Sequence, residues 1–410
     1  LTHLGLVSSI IAAEKKFEII AFHHEKKHLK NIINNKFANF EPFLEKYYNK
    51  NKKKIILTNN LSSISNCELI FLSLDTPVSD DGIPKYNFIK NLTNKIIRYA
   101  NVKAEIVVLN QVYPGFTERI NWPKDKLFYQ VETLIFGDAI NRALYPERFI
   151  IGCSSDKYFK VSNLNYFLKK FKCPIITMKY QSAELSKIAI NLFLVSSINS
   201  TNMISEICEK TNASWEEIIK VLKTDKRIGK KAYLKPSLSL GGSNLTRDIK
   251  TFKNLSKKYK TNSKLIDTWL FNNNYQKKWI FNKIDKLINK KINNKIAILG
   301  LAYKVNTNST VNSLFYEIIK KYKNCFFNLY DPIIKYETKN SKIKVCKNIR
   351  DCILKTDLII ILTPWKEFQK IKLVFRNIEN KHLIDPFNVI KLTKFQLKKL
   401  QYYTLGESND

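Results

Sequence analysis

A chain of 410 residues, 44% of them hydrophobic and 26% charged, can bury a large core and divide into two to three domains, which excludes a disordered or fibrous protein. Seventy Lys+Arg against thirty-five Asp+Glu give a formal charge of +35. The lysines are spread along the whole chain among Asn and Ile, with no zinc finger, basic zipper or RNA-binding aromatic motif, so the charge reads as a solvated basic surface and no nucleic-acid partner is expected. Seven cysteines, odd in number and without C-x-x-C spacing, fit reduced thiols in a cytoplasmic protein, with no metal site and no disulfide framework. The longest apolar runs, such as 358–362, fall far short of a membrane span and no signal peptide is visible, so no membrane partner is expected.

The chain starts at Leu1-Thr2-His3-Leu4-Gly5, with no initiator Met and no strand ahead of the turn, and an incomplete N-terminus is expected. Short β-branched or apolar runs at 17–23, 54–57, 69–74, 105–110, 127–131, 149–152 and 174–178 alternate with helix-length segments. That alternation predicts a parallel α/β sheet. The segment 183–211 holds neither Gly nor Pro and reads as one long helix, with more helical sequence to about 289. Ser214-Trp215-Glu216-Glu217 reads as a helix start, Ser214 being the N-cap and Glu217 completing a capping box. Beyond a Lys/Asn-rich stretch at 289–295, runs at 295–300, 326–330, 343–346, 357–362 and 382–385 predict five further strands. The fold class is therefore α/β, two doubly wound Rossmann-like domains joined by a central helical domain, with boundaries at 1–180, 181–289 and 290–410.

Only ten glycines occur in the chain, well under half the roughly 7% usual for globular proteins. Each therefore marks a place where the backbone tolerates little else. Gly5 opens a helix at βαβ spacing from the run ending Phe22-His23, where glycines let backbone N–H groups approach a pyrophosphate. Asp75-Thr76-Pro77-Val78 follows a strand, with Asp80-Asp81-Gly82 beyond it, and Asn110-Gln111-Val112-Tyr113-Pro114-Gly115 follows another. Val131-Glu132-Thr133-Leu134 leads into Gly137-Asp138-Ala139. The long helix carries Glu184, Lys187 and Asn191; the last two, four apart, share one face about one turn from each other. Then come Leu240-Gly241-Gly242-Ser243-Asn244-Leu245-Thr246-Arg247-Asp248 and Gly300-Leu301-Ala302-Tyr303-Lys304. Tyr330-Asp331-Pro332, Thr363-Pro364-Trp365 and Ile384-Asp385-Pro386 close the series.

In order and spacing these points resemble the UDP-glucose/GDP-mannose dehydrogenase family of nucleotide-sugar oxidoreductases over almost the whole chain. The resemblance implies NAD as cofactor, with Thr2, His3, Leu4, Gly5, His23, Thr76 and Pro77 in its site. Thr2 stands at the fingerprint's second glycine, and His23 replaces the acidic residue that bonds the ribose 2′-hydroxyl, which leaves NADP open. It implies catalytic roles for Glu132, Lys187, Asn191, Asp248 and Gln111. Lys187 stabilises negative charge developing on the substrate oxygen and Asn191 supports it. Gln111 stands where the family's threonine positions a water, and Phe136 takes the place of a second glutamate. Asn244 stands at the cysteine nucleophile, so the thiolate route from aldehyde to acid is absent. Gly241, Gly242, Ser243, Arg247 and Lys304 are the implied substrate-binding residues. The run Asn308-Ser309-Thr310-Val311-Asn312-Ser313 lacks the arginine that the family offers across its dimer.

The implied function is NAD(P)-dependent oxidation of a UDP-sugar, a UDP-hexose at C6, for cell-envelope polysaccharide, by a homodimer. Two alternatives stay open: a divergent dehydrogenase that stops at an aldehyde or ketone, and a non-catalytic UDP-sugar-binding relic.

Overall fold

The structure is a computed structural model that describes residues 1–77, 84–242, 244–288, 294–371, 382–392 and 401–408. The chain forms two compact units, Leu1–Ile190 and Asn191–Asp410.

In the first unit α1 (His3–Glu14) leads to β1 (Ile19–Phe22), α2 (Lys26–Ile33), α3 (Leu44–Asn51), β2 (Ile55–Thr58), β3 (Leu69–Leu72), α4 (Tyr86–Tyr99) and β4 (Glu105–Val108). Next are β5 (Leu127–Gln130), α5 (Ala139–Leu144), β6 (Phe149–Gly152), α6 (Asp156–Lys160), α7 (Asn163–Lys169) and β7 (Ile175–Met178). All four residues of β4 are buried, as a central strand covered on both faces requires. Ile106 and Val108 enter one core cluster and Val107 the opposite one, following the two-residue period of a strand.

Two features depart from a single parallel sheet. β5 and β6 pair antiparallel, with Tyr129 opposite Gly152. The connection 131–148 packs Ala139, Ile140 and Leu144 of α5 against Val7 and Ile10 of α1. It makes no crossover along the sheet, and a parallel return needs one. The second departure is that β1 and β2 form a sheet of their own beside the five strands in order β3-β4-β5-β6-β7. A cavity of about 780 Å³, lined by the residues of β1 on one side and of β3 on the other, separates the two edges.

The helix α8 (Tyr180–Thr211) begins in the first unit and runs on into the second, followed by α9 (Trp215–Thr224), α10 (Asn244–Lys258) and α11 (Lys264–Leu287). At 32 residues α8 is long and apolar enough to cross a membrane by length and composition, which the apolar runs alone do not show. Its buried polar side chains, Glu184, Asn191, Thr201, Asn202 and Ser205, mark instead a helix packed in protein.

The second sheet is built from β8 (Lys295–Leu299), α12 (Phe315–Lys321), β9 (Phe326–Tyr330), β10 (Ile343–Val345), α13 (Ile349–Ile353), β11 (Leu358–Ile361), β12 (His382–Ile384) and β13 (Gln401–Tyr403). All its pairings are parallel, in the order β10-β9-β8-β11-β12-β13. Counted within the sheet this is 3-2-1-4-5-6, the doubly wound order. It carries one strand more than the sequence predicts. Ile296 and Ile298 of β8 enter one core layer, Ala297 and Leu299 the other.

The capping box at α9 is also corrected. Ser214 is the N-cap residue but its hydroxyl donates to Glu407 Oε1 at 2.7 Å, and the same oxygen accepts the Glu216 amide at 3.3 Å. A carboxylate 193 positions away in sequence thus caps this helix.

Candidate active site

The first unit presents the start of α1. Its first turn, His3-Leu4-Gly5-Leu6, carries no acidic side chain. The Thr2 hydroxyl turns to the loop after β3, donating to the Ser73 carbonyl at 3.4 Å and accepting from the Asp75 amide at 3.1 Å. The amides of that first turn are thus left uncapped by Thr2, which suits an anionic pyrophosphate. Gly5 is needed for close packing: a Cβ there lies 2.9 Å from Ser73 Oγ and 3.0 Å from the Ser73 carbonyl oxygen. These features fit a dinucleotide, with Thr2 accommodated by bonding sideways. His23 directly follows β1; burial, with His28 and His24 beside it, pushes its imidazole down to about 4.

Thr76 is buried, and its hydroxyl donates to the Gln111 carbonyl at 2.9 Å, tying the two loops after β3 and β4 together. Pro77 accepts the Lys85 amide at 2.8 Å; Asp80, Asp81 and Gly82 lie outside the described residues. The loop at Pro114-Gly115 is held from α8: the fully buried Glu184 carboxylate accepts the Gly115 amide at 2.5 Å and the Thr117 amide at 2.7 Å. One turn further along α8, Lys187 Nζ sits 3.9 Å from Glu132 Oε2. The Glu132 carboxylate also accepts the Leu134 amide. Its side chain keeps 24% exposure, yet surrounding protein desolvates it, so its pKa is raised despite the ammonium group of Lys187.

One residue with a central place here is absent from the sequence reading. Glu41, buried, accepts from His3 Nε2 at 3.0 Å, from the Gly137 amide at 2.9 Å and from the Ala139 amide at 2.8 Å. It joins the α1 start to the Glu132 loop, and Phe136 stacks on His3 at 4.3 Å. No local pattern around Glu41 announces this.

In the second unit Asp248, fully buried, accepts from Asn191 Nδ2 and from Arg247 Nε at 3.2 Å. The Gly241-Gly242 turn lies against Tyr303: at Gly242, φ +73°, a Cβ falls 2.7 Å from the Tyr303 ring. Asn312 Nδ2 donates to the Gly242 carbonyl at 2.8 Å. Asn244 is the exposed first residue of α10, while Ser243 lies outside the described residues. Lys304 Nζ stands 5.6 Å from the Tyr303 ring centroid.

Gly300 directly follows β8, which pairs with β11 where the strand order of this sheet reverses and where ligands of such sheets bind. Its φ is +92°, and a Cβ meets Thr363 at 2.5 Å. Asp331, another residue without a role in the sequence reading, shapes this turn by accepting the Leu301 amide at 2.7 Å and the Ala302 amide at 3.2 Å.

Known proteins match this arrangement domain by domain. Three domains of the UDP-glucose/GDP-mannose dehydrogenase family match in chain order: the NAD binding domain at residues 1–166, the central domain at 181–275 and the UDP binding domain at 297–392. The chain belongs to this family. It is 26% identical to the UDP-glucose 6-dehydrogenase of Rickettsia bellii over 98% of this chain and 97% of that one. Among solved structures it is similar in fold to a UDP-glucose dehydrogenase of Pyrobaculum islandicum, with TM-score 0.84 and 18% identity over 99% of this chain and 96% of that one. A UDP-D-ManNAc dehydrogenase of Pyrococcus horikoshii gives TM-score 0.83 and 19% identity over 100% and 98%. As a family member the chain carries an NAD-binding and a UDP-binding domain.

Proposed function

We propose that the chain oxidises a UDP-hexose at C6 with NAD, for cell-envelope polysaccharide, and the observation that carries this is the Lys187–Glu132 pair in the NAD-binding unit. NAD, held by the amides of His3, Leu4 and Gly5 with Thr76 and Pro77 nearby, supplies the hydride acceptor. Lys187 stabilises the charge that develops on the substrate oxygen, and Glu132 takes up its proton. Asn191 and Asp248, hydrogen-bonded to each other, orient the reacting end, while Arg247, Gly241, Gly242, Ser243 and Lys304 hold the sugar nucleotide. Gln111 orients a water. Incubation with a panel of nucleotide-sugars and NAD tests the reading: NADH should appear with a UDP-hexose, and no turnover with any member of the panel refutes it. A second reading, oxidation that stops at the aldehyde or a ketone, is favoured by Asn244 in place of a thiol.

The raised pKa of Glu132 gives this reading a pH signature. Above its pKa the carboxylate is the competent base; below it the group is protonated and the rate falls. The acid limb of kcat/KM should therefore lie above the ordinary carboxylate value of 4.5, and Glu132→Gln should remove it. A limb unchanged in the variant assigns the titration elsewhere.

We also propose that the chain acts as a homodimer joined through α8. Phe193, Ile204 and Ile207 fall on one face of that helix, and they are 80%, 38% and 58% exposed. Such a stripe on one long helix suits a self-complementary interface. Light scattering should give twice the chain mass of 48.0 kDa, and Phe193→Glu should shift the protein towards monomer. A monomeric mass at micromolar concentration overturns this.

A further inference from the structure

β1 runs straight into His23-His24-Glu25-Lys26-Lys27-His28, a cluster of imidazoles and ammonium groups at a corner that decides cofactor choice. In dinucleotide-binding domains the ribose next to the adenine is read about 20 residues after the glycine turn; a carboxylate there accepts the 2′-hydroxyl and repels a 2′-phosphate, whereas a cation accommodates the phosphate. His23 follows Gly5 at that spacing, and both line the same cavity.

Its ring is held in place. It stacks on His28 at 4.1 Å and on His24 at 4.6 Å, and its Nδ1 accepts the Glu25 amide at 3.1 Å. An accepting Nδ1 places the proton of the neutral ring on Nε2, so the position offers a donor where the usual carboxylate offers an acceptor. The one acidic side chain of the cluster, Glu25, is exposed and faces His24, whose Nε2 is 3.6 Å from Glu25 Oε1. Lys26 and Lys27, both exposed, open α2 beside it.

We propose that this NAD-binding domain also takes NADP, with His23 as the residue that selects it and His24, Lys26 and Lys27 supplying further donors and positive charge to the 2′-phosphate. The proposal rests on the dinucleotide reading of the first unit and goes beyond it in naming which dinucleotide the β1 corner accepts.

Calorimetric titration of the full chain with NAD, NADP, AMP and adenosine 2′,5′-bisphosphate tests it without turnover. NADP should bind at least as tightly as NAD, and the bisphosphate about tenfold more tightly than AMP, the size of one charge-assisted hydrogen bond. His23→Asp should weaken NADP by about tenfold or more while NAD binds as before or better. His24→Asp, at an exposed position, should weaken NADP in the same direction. NAD binding with NADP about tenfold weaker in the unchanged protein overturns the proposal and leaves the dinucleotide reading standing. Binding of none of the four ligands overturns both.

Discussion

Replacing Lys187 with Met should lower kcat by about 10²–10³-fold, on the order of 3–4 kcal/mol of transition-state stabilisation, while KM for the sugar nucleotide changes little. Lys187 is 16% exposed and 3.9 Å from Glu132, so its ammonium group is held in a site sheltered from bulk water, where a fixed charge is worth more than at the surface. In the proposed reaction the substrate presents a neutral hydroxyl to Lys187 in the ground state, and only as the hydride leaves does the oxygen take on charge. An interaction made mainly in the transition state lowers kcat and kcat/KM together when it is removed. Lys187→Met also leaves Glu132 without its cation, so the acid limb of any residual activity should move further up in pH. A variant that keeps full kcat with a raised KM removes Lys187 from the chemistry and makes it a binding residue.

The strands and the long helix α8 are legible in the sequence because each is announced locally. Runs such as Leu358–Ile361 are apolar throughout, as a strand covered on both faces must be, and Lys187 and Asn191 share a helical face whatever surrounds them. Gly5 and Gly300 stand out because glycine is so scarce in this chain, although the collisions a Cβ would meet there, with Ser73 and Thr363, come from residues far along it. What is not legible depends on residues far apart. Glu41 reaches His3 and the Gly137 loop, and Glu184 reaches the amides of Gly115 and Thr117 across 67 or more positions. Glu41 is an ordinary glutamate in sequence, and Glu184 stands beside Lys187 and Asn191 there without a task; burial against backbone amides gives each its task. The capping box at Ser214 fails in the same way, because Glu407 arrives from a distant loop and offers a charged acceptor that outcompetes the local one. The antiparallel β5–β6 pair is hidden too, since apolar runs mark strands without marking their direction.

Asn244 sets the last expectation, which concerns the product. Oxidising the C6 alcohol to an aldehyde removes one hydride and one proton, and a hydride acceptor and a base suffice. Taking the aldehyde to an acid needs a second hydride from a tetrahedral carbon, which a thiolate creates as a thiohemiacetal that then yields a thioester for water to cleave. The amide of Asn244, exposed at the first residue of α10, forms no such bond. The tetrahedral carbon must then be the hydrate, formed by direct addition of water that Gln111 or Asp248 orients. Covalent catalysis divides a hard step into easier ones, so its loss slows acid formation far more than alcohol oxidation. About one NADH per sugar consumed should therefore accumulate, with a carbonyl product that hydroxylamine traps, and Asn244→Cys should raise the ratio towards about two. Two NADH per sugar and a uronic acid from the unchanged protein overturn this, and would mean that oriented water does the work of the thiol.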